Sequence, residues 1–331
     1  MSHKITLCIL IAATWLLTLS MTASPAAADE AVAQKAVLVT GASSGIGRNI
    51  AERLAAEGYF VYAGARKPDD IKMLSSIDNI QGVRLDVTIQ TDIDAAVQTV
   101  KAGGLGLYGI VNNAGVVVMD IMAEMDESDL EFVFDVNVYG PYRVTKAFAP
   151  MIIESQGRIS NISSLAGIAS GPAYGAYSMS KHAVEAFTDS LASEMSSVGV
   201  RVSAIKPGAY NSSASTSYCK RRKAQDKNPG DSLFEELSMD IASICDDNAP
   251  NQYPEPDRVA DAVLDALFSE NPKADYLAVS DPRQSEFVIR NILQDLVEFN
   301  RDYEYSYSRE KLIEMLDETL APTAKVRSWQ N

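Results

Sequence analysis

Tyr177 and Lys181 stand four residues apart in a stretch whose apolar residues recur every three or four positions. On a helix they share one face, and their polar ends reach a common point. A phenol with a reference pKa of about 10 is a poor base at neutral pH, and a neighbouring ammonium lowers that value by favouring the anion. Such a pair can pass a proton to or from an oxygen atom. Ser164 precedes Tyr177 at the end of a short apolar run, where its hydroxyl can hold that oxygen while its charge changes. Ser163 adjoins it as the other candidate. Taken alone, a tyrosine and a lysine one turn apart also describe a half-buried ring with a lysine stem laid along it, so the surroundings must decide.

A second constellation lies near the front of the chain. The run Thr40-Gly41-Ala42-Ser43-Ser44-Gly45-Ile46-Gly47 follows an apolar stretch and opens a helical pattern. Glycines at Gly41, Gly45 and Gly47 let a backbone turn tightly and approach a pyrophosphate, with Ser43 and Ile46 in the same cradle and the helix dipole behind it. A glycine turn without a ligand is the plain alternative. The next apolar stretch ends in Ala63-Gly64-Ala65-Arg66-Lys67. A carboxylate there would bind a free ribose 2′-hydroxyl; a small residue followed by Arg66 instead offers room and charge to a 2′-phosphate. The expected cofactor is NADP(H).

Positioning these groups requires a sheet. Short apolar runs predict strands at Ala36–Thr40, Phe60–Ala65, Val83–Asp86, Gly109–Asn112, Arg158–Ile162, Arg201–Ile205 and Tyr276–Val279. Amphipathic stretches opening at Gly45, Thr91, Ser128 and Tyr174 predict the helices between them. The alternation implies an α/β fold, a single doubly wound parallel sheet of the Rossmann type with helices on both faces. Its domain spans about 35–280. A polar, irregular stretch at 209–256 falls where such a sheet places a flap over its crevice, and residues 281–331 form a helical extension with helices at Ser285–Asn300 and Arg309–Thr319.

Taken in order, Thr40-Gly41-x-x-x-Gly45-x-Gly47, Asn112-Asn113-Ala114-Gly115 and Tyr177-x-x-x-Lys181 resemble the short-chain dehydrogenase/reductase family over about Lys35 to Gly208. The resemblance implies that Asp86 and Val87 border an adenine, that Asn113, Ala114 and Gly115 line the cofactor cleft, and that Pro207 and Gly208 lie beside a nicotinamide. It implies that Asn137 holds a water linking Lys181 to solvent, and its spacing selects Ser164 over Ser163. It further implies oligomers of identical chains built through the helices carrying Asn137 and Tyr177. The expected activity is hydride transfer between an alcohol and a carbonyl, with Tyr177 as acid/base and a small-molecule substrate. Tyr139, Tyr142, Tyr174 and Tyr210 point to an apolar pocket or, equally, to core packing.

Two other functions fit part of the pattern. Gly41-Ala42-Ser43-Ser44-Gly45 satisfies the Gly-x-Ser-x-Gly elbow of serine hydrolases, but the base would have to be His182, which is expected to pack on its helix. A catalytically silent dinucleotide-binding module would not need Ser164, Tyr177 and Lys181 together.

Composition bounds the rest. In 331 residues the formal net charge is −15, which argues against nucleic acid as a partner; the run Lys220 to Lys223 reads as a solvated loop. Residues 1–28 have the layout of a secretory leader or N-terminal anchor: Lys4, the apolar run Ile5 to Met21, then small residues before Asp29 and Glu30. The body is expected outside the cytoplasm, with membrane contact only through residues 5–21. Cys8 lies in that leader, and Cys219 and Cys245 read as two independent thiols. With two histidines and no Cys-x-x-Cys pair, no metal site is expected.

Overall fold

The computed structural model describes residues 34–321 apart from 213, 226 and 246–252; the expected leader lies outside the described residues. Seven strands, β1 (Ala36–Val39), β2 (Phe60–Ala65), β3 (Ile80–Arg84), β4 (Gly109–Asn112), β5 (Arg158–Ile162), β6 (Arg201–Pro207) and β7 (Asp275–Ala278), form one sheet. Its order is β3-β2-β1-β4-β5-β6-β7, and every pairing is parallel. Strands buried on both faces must be apolar throughout. In β1, Val37 and Val39 join one core while Ala36 and Leu38 join the other.

Helices cover both faces. α1 (Gly45–Ala56), α2 (Pro68–Leu74) and α9 (Asp257–Phe268) bury Ile50, Leu54, Leu74 and Val263 on one side. α3 (Gln90–Gly103), α5 (Gly140–Glu154) and α6 (Gly175–Ser196) bury Ile93, Val100, Phe148 and Met195 on the other. The chain leaves β1 in one direction and β4 in the other, so the crevice at their carboxyl ends is the switch point where doubly wound sheets take ligands.

Four expectations need correction. β3 starts and ends earlier than Val83–Asp86, because Ile80 to Arg84 pair with Val61 to Ala65, while Asp86 instead accepts hydrogen bonds from Thr88 N–H and Oγ1 at 3.0 and 2.7 Å. α2 went unread: Pro68 at its first turn and Asp69 and Asp70 behind it are helix-start residues in a seven-residue piece too short to show a period. The flap holds α7 (Ala214–Ala224) and α8 (Glu235–Ser243), so Lys220 to Lys223 lie on a helix. Their polar composition hid helices that are fixed by side-chain pairs. Cys219, on α7, and Cys245, in the turn after α8, are joined as a disulfide, whereas separate thiols were expected; both pack against the cluster of Met119, Ile121, Tyr218 and Ile241, and the sulfurs meet through that shared core.

The flap is anchored to the segment after β4. Asp129, on α4 (Glu127–Phe134), is fully buried and accepts from Arg221 Nε at 2.7 Å and Gln225 Nε2 at 2.8 Å, with the guanidinium 4.3 Å over Phe132. Lys227 pairs with Asp120 at 2.6 Å and Asp126 at 3.1 Å. Tyr218 Oη donates to Met119 O at 2.9 Å. Beyond β7 the chain continues as α10 (Pro282–Phe299) and α11 (Arg309–Leu320). Among the described residues no helix is long and apolar enough to cross a membrane.

Candidate active site

The glycine-rich turn leaves β1 at Thr40, whose buried Oγ1 accepts the N–H groups of Asn113 and Ala114, both at 3.0 Å. Gly41 has φ +65°, and a Cβ there would stand 2.9 Å from Ala114 Cα. A side chain at Gly47 would strike the Asn113 amide, which itself donates to Thr40 O at 2.9 Å and Gly41 O at 3.2 Å. Thus Gly41, Gly47, Asn113 and Ala114 pack two loops against each other. The loops open onto the N-terminus of α1, where Gly45 and Ile46 present the positive end of the helix beside Ser43. A bare backbone cradle at a helix N-terminus suits a pyrophosphate, so these residues fit the dinucleotide that the motif implies.

At the end of β2, the Arg66 side chain is 65% exposed, with its guanidinium 4.0 Å from the Asp86 carboxylate. Arg84 donates to the Arg66 carbonyl and pairs with Asp92 at 2.8 Å, which holds this corner. Val87 is buried against the other core. At the opposite end Pro207 closes β6, Gly208 N–H donates to Ala278 O at 2.9 Å, and Gln284 from α10 packs against Gly208.

Between these ends sit the groups able to move a proton. β5 delivers Ser163 and Ser164 side by side with opposite aims. Ser163 Oγ is buried near Gly167 and the Glu185 side chain. Ser164 Oγ accepts Ala166 N–H at 3.1 Å and shares a hydrogen bond with the Tyr177 hydroxyl. α6 carries Tyr177 and Lys181 on one face; Lys181 is buried, donates from Nζ to Ile162 O at 2.9 Å and lies 5.7 Å from the Tyr177 ring centre. Burial pushes the Tyr177 phenol up, and the Ser164 hydrogen bond pulls it back. Burial pushes Lys181 down to about 8, against the attraction of the Glu185 carboxylate.

Asn137 sits in a π-helical turn, Asp135–Tyr139, between α4 and α5. Its Oδ1 accepts Val116 N–H at 2.8 Å, and its Nδ2 donates to Val116 O at 2.9 Å and Ser180 Oγ at 3.0 Å. Both amide hydrogens are therefore used in tying the segment after Gly115 to α6. Among the aromatics, Tyr139, Tyr142 and Tyr174 are exposed, and Tyr210 is buried in the core with α1 and α9. His182 Nδ1 meets the Ser178 carbonyl of its own helix at 2.8 Å.

Reasoning from sequence missed Glu185, Lys206 and Asp275. Lys206 on β6 is buried, pairs with Glu185 at 2.8 Å and also contacts Asp275. Glu185 follows Lys181 by one turn, so the spacing that united Tyr177 and Lys181 would have reached it. Nothing in the sequence brings Lys206 and Asp275 to the same place; only the pairing of β6 with β7 does.

Residues 35–223 match the family model described as short chain dehydrogenase. The chain is 35% identical over 221 residues to the mitochondrial D-beta-hydroxybutyrate dehydrogenase of Rattus norvegicus, a match covering 64% of this chain and 64% of that one, so the chain spans less than two thirds of that relative's length. Among solved structures, a short-chain dehydrogenase from Streptomyces avermitilis superposes with a TM-score of 0.68 at 28% identity, covering 85% of this chain and 98% of that one. A point variant of the actinorhodin polyketide ketoreductase, solved with NADPH, gives a TM-score of 0.61 at 28% identity over 75% of this chain and 95% of that one. With its parallel sheet, its glycine turn packed on Asn113 and its Ser164, Tyr177 and Lys181 cluster, the chain belongs to the short-chain dehydrogenase/reductase family of oxidoreductases.

Proposed function

We propose that the protein is an NADP(H)-dependent oxidoreductase interconverting an alcohol and a carbonyl, with Tyr177 as the group that exchanges the proton. The observation that carries this is the convergence of the Tyr177 hydroxyl, Ser164 Oγ and the buried Lys181 ammonium at the carboxyl end of β5. When bound, the dinucleotide supplies or accepts the hydride. Its pyrophosphate would rest on Gly41, Ser43, Gly45, Ile46 and Gly47, its adenine beside Asp86 and Val87, and its nicotinamide end between Asn113 to Gly115 and Pro207 and Gly208.

The chain's own part is proton handling. Ser164 Oγ holds the substrate oxygen, and Tyr177 Oη gives it a proton in reduction or takes one in oxidation. A neutral Lys181 would leave the tyrosinate unsupported, so the ammonium must survive burial; Ile162 O and the Glu185 carboxylate favour it. Asn137 fixes the segment after Gly115 against α6 and thereby keeps Lys181 and the cleft wall in register.

The choice of NADPH rests on Arg66, with no carboxylate at Ala65. Its exposed guanidinium faces the Asp86 carboxylate at 4.0 Å, and it can turn to a 2′-phosphate through two charge-assisted bonds. After screening by solvent, preference for NADPH over NADH should be on the order of tenfold to a few hundredfold. Ala65→Asp with Arg66→Ala should reverse it. The body of the protein is assigned to a compartment outside the cytoplasm, a reading supported by the Cys219–Cys245 disulfide, which persists in oxidising surroundings. Self-association through the Asn137 and Tyr177 helices draws support from exposed Tyr139 and Tyr142 beside that surface.

The test is purified protein assayed with NADPH and NADH against a panel of ketones, aldehydes and alcohols. Absence of turnover with all of them would favour the silent-module reading; faster turnover with NADH would refute the role of Arg66. N-terminal sequencing and thiol trapping of protein from an exporting host test the compartment: a reduced, cytoplasmic chain that retains Ile5 to Met21 would refute export.

A further inference from the structure

α10 and α11 carry an apolar surface that nothing among the described residues covers. α10 buries only Val288, and α11 buries no residue. Ile289, Ile292, Leu296 and Phe299 succeed one another at intervals of three and four along one side of α10, and are 50%, 45%, 44% and 80% exposed. That spacing makes a seam into which another helix packs. On α11, Leu316 and Leu320 are 51% and 71% exposed. The connection between the helices is clasped, with Asn300 Nδ2 donating to Tyr307 O at 2.8 Å and Asn300 Oδ1 accepting Tyr307 N–H at 2.7 Å. Helices of 18 and 12 residues without a packed face are marginal in water.

We propose that this surface is covered by the same surface of a second copy of the chain, the two helix pairs forming a four-helix bundle about a two-fold axis. Area supports the choice: the apolar and aromatic side chains of residues 286–320 expose on the order of 1,000 Å², above the few hundred Å² of a typical monomer patch and close to the roughly 800 Å² each partner gives to a stable interface. Charge supports it too. Residues 282–321 hold five Arg and Lys against nine Asp and Glu. Arg290 and Lys311 are paired within their helices to Glu286 at 2.7 Å and Glu314 at 2.9 Å. An anionic bilayer would find no cationic rim here, which amphipathic membrane helices supply. A second copy offers two more helices with the same seam, and four helices enclose a core that two cannot.

The inference is independent of the reaction, and its test reads mass. Light scattering on the full chain should give Ile292→Glu with Leu296→Glu half the mass of the wild type, with faster hydrogen exchange over 286–299 and a loss of far-UV helical signal no larger than α10 and α11 contribute. If that double variant fails to fold, Leu296→Ala should raise the dissociation constant of the assembly at least tenfold. Equal masses, or an unchanged dissociation constant for Leu296→Ala, would overturn the proposal. So would a wild-type monomer, whether α10 is protected by the chain's own ends or becomes protected only on flotation with phosphatidylcholine vesicles.

Discussion

Around Lys181 several of the polar side chains that set the site are tied to main-chain atoms; around Cys219 the charged ones are tied to one another. Lys181 holds Ile162 O, Asn137 holds both polar atoms of Val116, and Thr40 Oγ1 holds the N–H groups of Asn113 and Ala114. Those partners belong to strands or to the turns that leave them, so the site is as rigid as the sheet. The flap is held by Arg221 and Gln225 on Asp129, Lys227 on Asp120, a small apolar cluster and one disulfide. It can loosen as a unit while the sheet stays folded. A fixed proton-transfer site under a separately anchored cover implies that changes in the first region alter kcat, and changes in the second alter KM.

The sharpest break in that division is Tyr177→Phe. It removes one hydroxyl and little packing, so turnover should fall by about 10²–10⁴-fold or more while cofactor affinity, read by fluorescence titration, stays within about twofold. Retention of wild-type turnover would end the acid/base assignment. Ser164→Ala should come next, losing roughly 2.7–4 kcal/mol of transition-state stabilisation, by analogy with deleting one oxyanion-hole donor. Ser163→Ala serves as its control, since that hydroxyl lies buried toward Gly167; comparable losses from both would mean that the two serines had been assigned the wrong aims.

A third prediction uses pH. The folded Lys181 is held at about 8, below the 10.5 of an unperturbed lysine. Between those values the unfolded chain binds the proton that the folded chain does not, so stability contributed by this residue rises with pH from about 8 upward, and the cost of burying its charge is fully present below about 8. The Tyr177 phenol is shifted up and works the other way above about 10, which makes pH 8–10 the window to use. Urea melts of cofactor-free Lys181→Met should lack a rise of at most about 3 kcal/mol that the parent shows. Parallel pH curves for the two proteins would contradict the buried ammonium. The smallest effect belongs to the flap: Asp129→Asn keeps the shape but removes the charge facing Arg221, which is one-third exposed. A loss of about 1–2 kcal/mol in flap docking should appear as a several-fold rise in KM and faster proteolysis near α7, with kcat within about twofold. A fall in kcat alone would show that the cover and the site are one cooperative body.

The same division explains what could be read from sequence. Strands buried on both faces announce themselves as apolar runs, and the glycine turn, Ser164, Tyr177 and Lys181 stand at fixed distances along elements whose geometry is known in advance. β3 was misplaced because Gln81 and Gly82 interrupt its apolar character between Ile80 and Val83, and pairing with β2 decided its limits. In the flap the partners are distant in sequence, as Asp129 and Arg221 are, and a polar helix such as α7 has no apolar period to reveal it. The disulfide was missed for that reason: two cysteines carry no information about distance until the segments bearing them are packed.

The π-helical turn at Asp135–Tyr139 makes the cleft depend on the count of residues as well as on their kinds. A wide turn accommodates one residue more than an α-helical turn of the same rise, which rotates everything beyond it by about 100° about the axis. In this chain that rotation reconciles two faces: Val133 on α4 is buried on one side of the turn, Val144 and Phe148 on α5 are buried on the other, and Asn137 points inward between them. Deleting one residue from 135–139 other than Asn137 would restore a regular helix with ordinary hydrogen bonds. It would also turn either Asn137 or the α5 core face away from its partners. Helicity and site geometry are therefore separable quantities in this segment, and a circular dichroism spectrum would be blind to the difference.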